Sequence, residues 1–431
     1  MDILIRNCAI LPMGGRRDLI KEGAVAIHDG RITFVGEASK ARFRAEEKIE
    51  GRGMVALPGF VNCHTHVPMT LLRGIVEDMP LRRWLEDVVW PLEANLRPED
   101  VYHGALLGCL EMVKHGVTTF SDMYFYEDSV AKAALEVGMR GFLAPGLIEV
   151  RDPEGARRGL KETIARAGKF NNKEGLIRYQ FGPHATYTCS PEFLREVRRA
   201  ASEHGIGIHL HLAESKEMVE EVRKRHGLHQ VELLEEIGFL GPDVLAAHCI
   251  YLGEGGVEAL ARHGVKVSHN PVANMKLAQG MAPVAELLEA GVTVGLGTDG
   301  PASNNTLDLL GDARIAALLQ KIRLMDPTVL PARKVLEMAT RGGAAVLGGE
   351  DRFGSLEAGK RADVILLNFM GAHSAPVHDY YANVLYSCSG DDVETVIVDG
   401  RIVVRDGVVQ TVDEASVVER ASETAYDLVA R

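Results

Sequence analysis

A short apolar run that ends in two histidines, LPGFVNCHTH at residues 57–66, opens the middle part of the chain. Because alternate residues of a strand point to the same side, His64 and His66 are expected to project together from the end of this strand. Seven further strand candidates follow, separated by helical stretches, and they end near Ser121, Gly146, His184, His211, His248, His269 and Asp299. Eight consecutive strand–helix units predict a closed (β/α)8 barrel, or TIM barrel.

The two ends of the chain show another pattern, in which short apolar runs are broken by Gly or Asp-Gly turns. These runs lie at 3–5, 24–27 and 32–35, and again at 363–367, 395–398 and 402–404. We therefore predict an α/β protein that has, beside the barrel, a small composite β-sandwich domain built from both termini. The parts of this domain are residues 1–56 and 349–431, the second ending in a C-terminal helix, and they flank the barrel at 57–348.

Charge and composition exclude several kinds of partner. The formal net charge is -12 and no basic tract is present, so neither nucleic acid nor a membrane surface is expected as the main partner. No apolar run approaches the roughly 18 residues of a membrane span, and the N-terminus lacks the features of a signal peptide. The six cysteines are scattered singly, as in proteins with reduced thiols. We predict a cytoplasmic protein, and the sequence leaves open whether it forms a homo-oligomer.

The strand ends carry residue types that hold metal ions. His64, His66 and His211 offer imidazole nitrogens, and Asp299 offers a carboxylate after the apolar run of the eighth strand. Each of these residues alone has an ordinary alternative, which is a core histidine or, for Asp299, a turn residue or helix cap. Together, three imidazoles and one carboxylate at the same end of a barrel form a suitable ligand set for one divalent cation with a water.

Residues beside these ligands indicate what a bound metal would do. A divalent metal lowers the pKa of its water toward neutrality and so supplies hydroxide. Glu214, just past the fifth strand, is predicted to be the general acid and base, against the alternative of a surface salt bridge. His248, at the end of the sixth strand, would orient the hydroxide or stabilise charge. His209 shares a face with His211 but lies deeper, and we interpret it as structural.

These motifs, in this order, resemble those of the amidohydrolase superfamily. The resemblance extends over essentially the whole chain and rests on the following residues: His64, His66, His211, Glu214, His248, Thr298 and Asp299. The segment GSLEAGKRAD at 354–363 is similar to the superfamily's usual return into its β domain. Many members hold two metals bridged by a carboxylated lysine at the end of the fourth strand, but here that strand ends in His184. The resemblance therefore implies one metal per subunit, with Zn²⁺ as the first choice and Fe²⁺ or Mn²⁺ as alternatives.

Within that superfamily the chain is similar to the 5-methylthioadenosine/S-adenosylhomocysteine deaminases. The similarity lies in residues 67–74, 84–85, 90–93, 183–189 and 269–277. It implies that Glu93 binds the ribose hydroxyls with its two acceptor oxygens, and that His184 contacts the purine or the sugar. The alternatives are a solvated helix residue for Glu93 and a residue that orients the metal site for His184.

The residues expected to contact the 5′ end of the substrate differ from those of the deaminases that this chain resembles. Some members have an arginine before the Gly-Leu that ends the third strand, where it helps to hold the amino-acid carboxylate of S-adenosylhomocysteine. Here Pro145 precedes Gly146. A second arginine of that group corresponds to Arg157 in one alignment of the loop, and Arg158 is equally suitable chemically. Methylthioadenosine, S-adenosylhomocysteine, 5′-deoxyadenosine and adenosine therefore all remain candidate substrates.

We predict a hydrolytic deaminase that converts an adenine nucleoside to its inosine analogue and ammonia. Activated water would attack C6 of the purine while Glu214 delivers a proton to N1, His248 stabilises the attacking oxygen, and Asp299 accepts a proton. Glu214 and Asp299 would thus also contact the substrate. One rival is a hydrolase of the same superfamily that acts on another aromatic amine or a chlorotriazine, which would have no use for Glu93. A further rival is a non-catalytic binding protein.

Overall fold

The N-terminal part of the chain forms five strands of one sheet. In the computed structural model, which describes residues 1–14, 19–171 and 174–431, these strands are β1 (Ile3–Ile10), β2 (Ile20–His28), β3 (Arg31–Glu37), β4 (Glu47–Glu50) and β5 (Met54–Pro58). Strands β1, β2 and β3 pair antiparallel in chain order, whereas β4 and β5 both pair parallel to β1. Asp29 and Gly30, both at positive φ, make the tight turn between β2 and β3.

The middle of the chain forms a parallel barrel, as predicted. Its strands are β6 (Phe60–Thr65), β7 (Val117–Tyr124), β8 (Arg140–Leu147), β9 (Ile177–Tyr179), β10 (Gly182–Pro183), β11 (Ile208–Leu212), β12 (Val244–His248), β13 (Lys266–His269) and β14 (Val294–Leu296). The fourth barrel position is shared by the two short strands β9 and β10, which both pair with β8. The barrel closes where the backbone N–H of His209 donates to the carbonyl of Phe181 (2.8 Å) and that of His211 to the carbonyl of His184 (2.9 Å).

The C-terminal strands return to the sheet that the N-terminus began. They are β15 (Val364–Asn368), β16 (Val393–Val398), β17 (Arg401–Arg405) and β18 (Val408–Val409). Strand β15 lies antiparallel to β5, so that Val364 pairs with Pro58. On the far side, the N–H of Ile32 donates to the carbonyl of Lys360 at 2.9 Å. The composite β domain from both termini is thereby confirmed, and its strands belong to one connected sheet. The domain bounds at 57 and 349 stay a prediction.

The helices pack outside the barrel and at its mouth. Their bounds are α1 (Leu81–Arg83), α2 (Trp90–Glu93), α3 (Pro98–Lys114), α4 (Glu127–Val137), α5 (Pro153–Phe170), α6 (Pro191–His204), α7 (Lys216–His226), α8 (Gln230–Glu236), α9 (Gly256–His263), α10 (Pro271–Lys276), α11 (Val284–Glu289), α12 (Leu309–Leu324), α13 (Ala332–Glu337), α14 (Gly343–Val346), α15 (Tyr380–Ala382) and α16 (Glu414–Ala430). The C-terminal helix α16 is joined to α3 by an ion pair of 2.6 Å between Lys114 and Glu414. Within the described residues, no helix combines the length and the apolar character that crossing a membrane requires.

Candidate metal centre and active site

The two histidines of β6 are held with one ring nitrogen each pointing to the same space. Nδ1 of His66 donates to the carbonyl of Met123 at 2.6 Å, and Nδ1 of His64 lies 2.8 Å from Nε2 of His209. These bonds use the Nδ1 atoms and leave both Nε2 atoms for another partner. Nε2 of His64 is buried and has no hydrogen-bond partner in the part of the chain that the structure describes. Such an orphaned nitrogen marks a site that is built for a further ligand.

His211 brings a third ring to the same space from β11. Its Nδ1 donates to the carbonyl of His184 at 2.9 Å, which again leaves Nε2 on the far side of the ring. That Nε2 faces Nε2 of His66 at 3.3 Å. Two neutral imidazoles would oppose their lone pairs at this distance, so the pair needs a proton or a metal ion between its nitrogens. Both the tautomers and the ring orientations are set by the bonds to backbone carbonyls, as in metal-ligating histidines generally.

Asp299, after β14, supplies a negative charge to the same cluster. Its Oδ1 lies 3.4 Å from Nε2 of His64 and 3.2 Å from Nε2 of His66, and its Oδ2 accepts from the hydroxyl of Ser303 at 2.7 Å. Burial alone would raise the pKa of Asp299, but the two imidazoles hold it well below its usual range. The residue has a φ of 61°, a left-handed conformation that is strained for a non-glycine residue and often found at functional sites.

The donor set fits a divalent metal. His64, His66 and Asp299 each offer a ligand atom within 4.8 Å of the other two, and so do His64, His211 and His248. In the absence of a metal, burial would lower the pKa of His66, yet the carboxylate of Asp299 raises it to about 9. The centre therefore attracts a cation strongly. Three imidazoles and one carboxylate suit a divalent transition metal and leave room for a water.

His248 and Glu214 stand beside this centre. Nδ1 of His248 donates to Oδ1 of Asn274 at 2.8 Å, and its buried Nε2 has no hydrogen-bond partner among the described residues. That Nε2 lies 4.0 Å from Oε1 of Glu214. Burial raises the pKa of Glu214 above its ordinary value, so its carboxyl keeps a proton closer to neutral pH. Ala213 and His248 both have positive φ, which turns the chain sharply just beyond the ends of β11 and β12.

A cavity opens over these residues. Its polar lining includes His66, His211 and Asp299 of the metal centre, together with Glu93, His184, Glu214, His248 and Ser303. The remaining wall is apolar and aromatic, and much of it comes from residues 81–93, including Trp84 and Trp90. This mixture of an apolar wall with a few polar groups is typical of small-molecule sites.

Glu93 lies at the part of the cavity wall formed by α2 and β7. It is half-buried, and its surroundings raise its pKa to about 7, although the neighbouring hydroxyl of Tyr124 acts in the opposite direction. The guanidinium of Arg151 stacks on the indole of Trp90, 3.8 Å from the ring centroid, and lines a second, outer cavity that Glu93 also lines. A carboxylate beside a phenol and close to a cation is well placed to accept hydrogen bonds from hydroxyl groups.

His184 lies across the cavity from this wall. Its Nδ1 is 2.9 Å from the hydroxyl of Thr188, and burial lowers its pKa to about 3, so the ring is neutral. The carbonyl of the same residue accepts from Nδ1 of His211. His184 therefore orients a metal-centre ring through its backbone and also lines the cavity with its own ring, and its contact with the purine or the sugar stays a prediction.

Neither arginine considered for the 5′ end lines the cavity of the metal centre. Arg157 is held between α5 and α6, where it hydrogen-bonds Glu196 at 3.2 and 3.3 Å and lies 3.5 Å from Glu149. Arg158 lies 3.8 Å from Asp152 and lines only the outer cavity. The structure brings the predicted ligands, Glu214, His248, Glu93 and His184 to one cavity, but it does not bring Arg157 there.

Comparison with known proteins agrees with this geometry. The sequence profile of the amidohydrolase family matches residues 55–403. The chain belongs to the amidohydrolase family. Among curated amidohydrolases, it is 49% identical over 432 residues to the 5-methylthioadenosine/S-adenosylhomocysteine deaminase of Desulforudis audaxviator, with 100% of this chain and 99% of the relative covered.

Two further relatives are similar over their whole length. The 5′-deoxyadenosine deaminase of Methanosarcina mazei is 48% identical over 432 residues, and the alignment covers 100% of this chain and 99% of the relative. Among solved structures, an adenosine deaminase from Xanthomonas campestris with bound zinc superposes with a TM-score of 0.96 at 31% identity, covering 100% of this chain and 99% of the other. A divalent metal is therefore supported for this amidohydrolase.

Several residues that support the amidohydrolase site were not assigned a role from the sequence. Asn274 orients His248, Ser303 bonds Asp299, and Tyr124 lies beside Glu93. The only sequence signal for Asn274 is the HNPVAN run at 269–274, which ends β13 and begins α10. No pattern of spacing pointed to Ser303 or Tyr124.

Proposed function

We propose that this amidohydrolase deaminates an adenine nucleoside, converting it to the inosine analogue and releasing ammonia. The observation that carries the proposal is that one cavity is lined by three of the four metal-centre residues, by Glu214 and by Glu93. A purine held with C6 toward the metal centre would place its ribose away from that centre, where Glu93 offers acceptors for the hydroxyls. The two curated relatives and the solved structure named above are each adenine-nucleoside deaminases by name, which supports the same substrate class.

In this proposal His64, His66, His211 and Asp299 hold one divalent metal, with Zn²⁺ as the first choice and Fe²⁺ or Mn²⁺ as alternatives. When bound, the metal acts as a Lewis acid that makes a water molecule acidic enough to react near neutral pH. The zinc in the related adenosine deaminase favours zinc here. The orphaned Nε2 of His64 and the facing Nε2 atoms of His66 and His211 favour the same ligand set.

Two residues transfer protons in this proposal, and a third directs the attacking oxygen. Asp299 takes a proton from the attacking water, because its depressed pKa keeps it ionised beside the site. Glu214 carries the proton that N1 of the purine needs, which makes C6 more electrophilic, and its raised pKa suits that task. Nε2 of His248 hydrogen-bonds the attacking oxygen and directs it to C6. A C–O bond forms at C6, the proton held by Asp299 passes to the exocyclic amine, and the C–N bond breaks so that the amine leaves as ammonia. The second proton of the water, now on the oxygen at C6, returns to Glu214 as the carbonyl of the inosine product forms.

The nucleoside's 5′ group lies, in this proposal, toward the outer cavity. Methylthioadenosine, 5′-deoxyadenosine, S-adenosylhomocysteine and adenosine differ only there. Arg157 is engaged by Glu196 and Glu149, so the amino-acid carboxylate of S-adenosylhomocysteine would have to find another partner. Arg151, which stacks on Trp90 and lines the outer cavity, is one candidate, and Arg158, which also lines the outer cavity, is another.

Ammonia release by zinc-loaded protein tests the proposal directly. The panel contains the four nucleosides, guanine, cytosine and an aminotriazine, and each is assayed with wild type and with Glu93→Ala. Turnover confined to the nucleosides, with kcat/KM lowered by Glu93→Ala, is the expected result. Turnover of guanine, cytosine or the triazine alone, or nucleoside turnover that Glu93→Ala leaves unchanged, would overturn the substrate assignment.

A further inference from the structure

Four arginines from different parts of the chain meet at the floor of the barrel, where the strands begin. Arg140 begins β8, Arg178 lies in β9, and Arg352 and Arg361 lie between α14 and β15. Arg140 is only 2% exposed, and its guanidinium stacks on the ring of Phe353 at 4.9 Å. We refer to Arg140, Arg178, Arg352 and Arg361 as the arginine cluster. It lies at the end of the barrel opposite to the metal centre, against the terminal sheet.

The carboxylates around the arginine cluster occupy only part of it. Nη2 of Arg140 bonds both oxygens of Asp363, at 3.2 and 3.1 Å, and is 3.7 Å from Asp399. Arg361 pairs with Asp399 at 3.3 Å and with Glu174 at 2.5 Å. Glu174 is itself largely exposed. These three carboxylates therefore reach only two of the four guanidiniums.

Several other donors of the cluster have no hydrogen-bond partner within the described residues. Nε and Nη1 of Arg140 are buried without a hydrogen bond, and Nη2 of Arg352 is buried in the same way. No hydrogen bond or ion pair joins the side chain of Arg178 or of Arg352 to any residue in the described ranges. Burial, together with the charges of Arg178, Arg140 and Arg361, lowers the pKa of Arg352 to about 10. Like charges are thus close enough to repel one another.

Such an arrangement is costly unless an anion completes it. Buried polar groups without partners destabilise a fold, and a buried charge does so more strongly. Guanidinium groups present several donors in a plane that matches the oxygens of phosphate or sulfate. We propose that the arginine cluster binds a small inorganic oxyanion of the phosphate or sulfate type between the barrel floor and the terminal sheet.

The inner part of the site favours a free ion over a phosphate carried by a larger molecule. Arg140 and Arg361 are nearly covered, and Phe353 packs across the guanidinium of Arg140, whereas Arg178 and Arg352 are half-buried. A bound oxyanion would connect β8 and β9 of the barrel to the segment that enters β15. Because it binds the folded protein and not the unfolded chain, it stabilises the fold in proportion to its saturation.

Thermal unfolding of the zinc-loaded protein tests the proposal. Tm is measured in sodium chloride and in 10 mM sodium sulfate at equal ionic strength, with glucose 6-phosphate as a bulky comparison. Two variants are compared with wild type. The double variant carries Arg178→Gln and Arg352→Gln together and so removes the two unpaired guanidiniums, and the control Arg401→Gln removes one exposed positive charge from β17.

Sulfate is expected to raise the Tm of wild type and of Arg401→Gln by about 2 °C or more, and to leave the double variant unchanged. In chloride alone, the double variant is expected to be at least as stable as wild type, since like-charge repulsion is relieved. If sulfate raised the Tm of all three proteins equally, the rise would be general salt stabilisation, and the proposed site would be refuted. The absence of a sulfate effect in wild type would do the same, and an equal effect of glucose 6-phosphate would refute the enclosed inorganic site.

Discussion

Nδ1 of His64 lies 2.8 Å from Nε2 of His209, so the deeper histidine of β11 holds the inner histidine of β6 in place. The chain of bonds continues, because Nδ1 of His209 is 3.1 Å from the hydroxyl of Ser121. A ring that donates through Nδ1 keeps its Nε2 lone pair for the metal centre. His209 therefore acts on the centre without reaching it.

Replacing His209 by Gln is expected to weaken metal binding by about 10- to 100-fold, because His64 loses the partner that fixes its tautomer and orientation. Competition with a chelator of known zinc affinity measures this. His204→Gln, an exposed histidine at the end of α6, is the control and should bind as wild type does. Unchanged affinity in His209→Gln would show that the bond is incidental.

Glu214→Gln is expected to lower kcat by about 10²- to 10⁴-fold while the protein still binds one metal, since an amide cannot deliver a proton to the purine. Steady-state assays and metal analysis of the same sample check both parts. Glu220→Gln, on the exposed side of α7, provides the matched charge change. If both variants turned over equally fast, the proton donor would have to be another group.

The affinity for nucleosides is expected to depend on pH through Glu93. Its pKa is raised to about 7, so the carboxylate that accepts two hydroxyl hydrogen bonds dominates above pH 7 and is lost as the pH falls through that value. KM should therefore rise on acidification from pH 8 to pH 6. In Glu93→Gln, KM should be higher throughout and nearly independent of pH over this range. If the Glu93→Gln variant showed the same dependence of KM on pH as the wild type, another residue would be responsible for the titration.

Arg151→Ala is expected to raise KM for S-adenosylhomocysteine about tenfold and KM for methylthioadenosine far less, since only the former carries a charged tail. Arg157→Ala is expected to leave both unchanged, because Glu196 and Glu149 already engage that side chain. Parallel assays with the two substrates measure the ratio. A selective loss in Arg157→Ala instead would mean that the arginine leaves its ion pairs when substrate binds.

Removing the metal is expected to lower the Tm by about 5 °C or more, because a ligand that binds only the folded state stabilises it. The facing Nε2 atoms of His66 and His211 would then depend on a proton to separate their lone pairs. Differential scanning calorimetry before and after a strong chelator, with zinc added back, measures the change. A Tm that is insensitive to both treatments would contradict a structural contribution from the metal.

The barrel and the position of the candidate metal centre were predictable because both depend on the pattern of apolar runs in short stretches of sequence. Apolar runs ending in His64, His211, His248 and Asp299 predict strand ends, and a closed parallel barrel brings strand ends together whatever the details of its helices. The terminal sheet was predictable for a similar reason, since alternation and Asp-Gly turns are visible over a few residues. The chemical roles of these side chains stay predictions.

The features that escaped prediction depend on contacts distant in sequence. The direction of Arg157 is set by Glu196, 39 residues away on the next helix. The division of the fourth barrel position into β9 and β10 leaves no mark in the apolar pattern. The positive φ of Ala213 and Asp299 could not be foreseen either, because neither residue is a glycine and tertiary contacts impose the strain.

The pairing of β5 with β15 has a consequence for synthesis on the ribosome. Pro58 meets its partner Val364 only after about 300 further residues have been made, which takes about 15 to 60 s at usual elongation rates. During that time the edge of the N-terminal strands is unpaired, and their apolar face around Ile5 and Ile27 is not yet packed against the C-terminal residues of the same core. An edge that waits so long is prone to mispairing with neighbouring chains. We therefore expect the yield of folded enzyme to depend on chaperones and on the rate of translation more than on the stability of the finished fold.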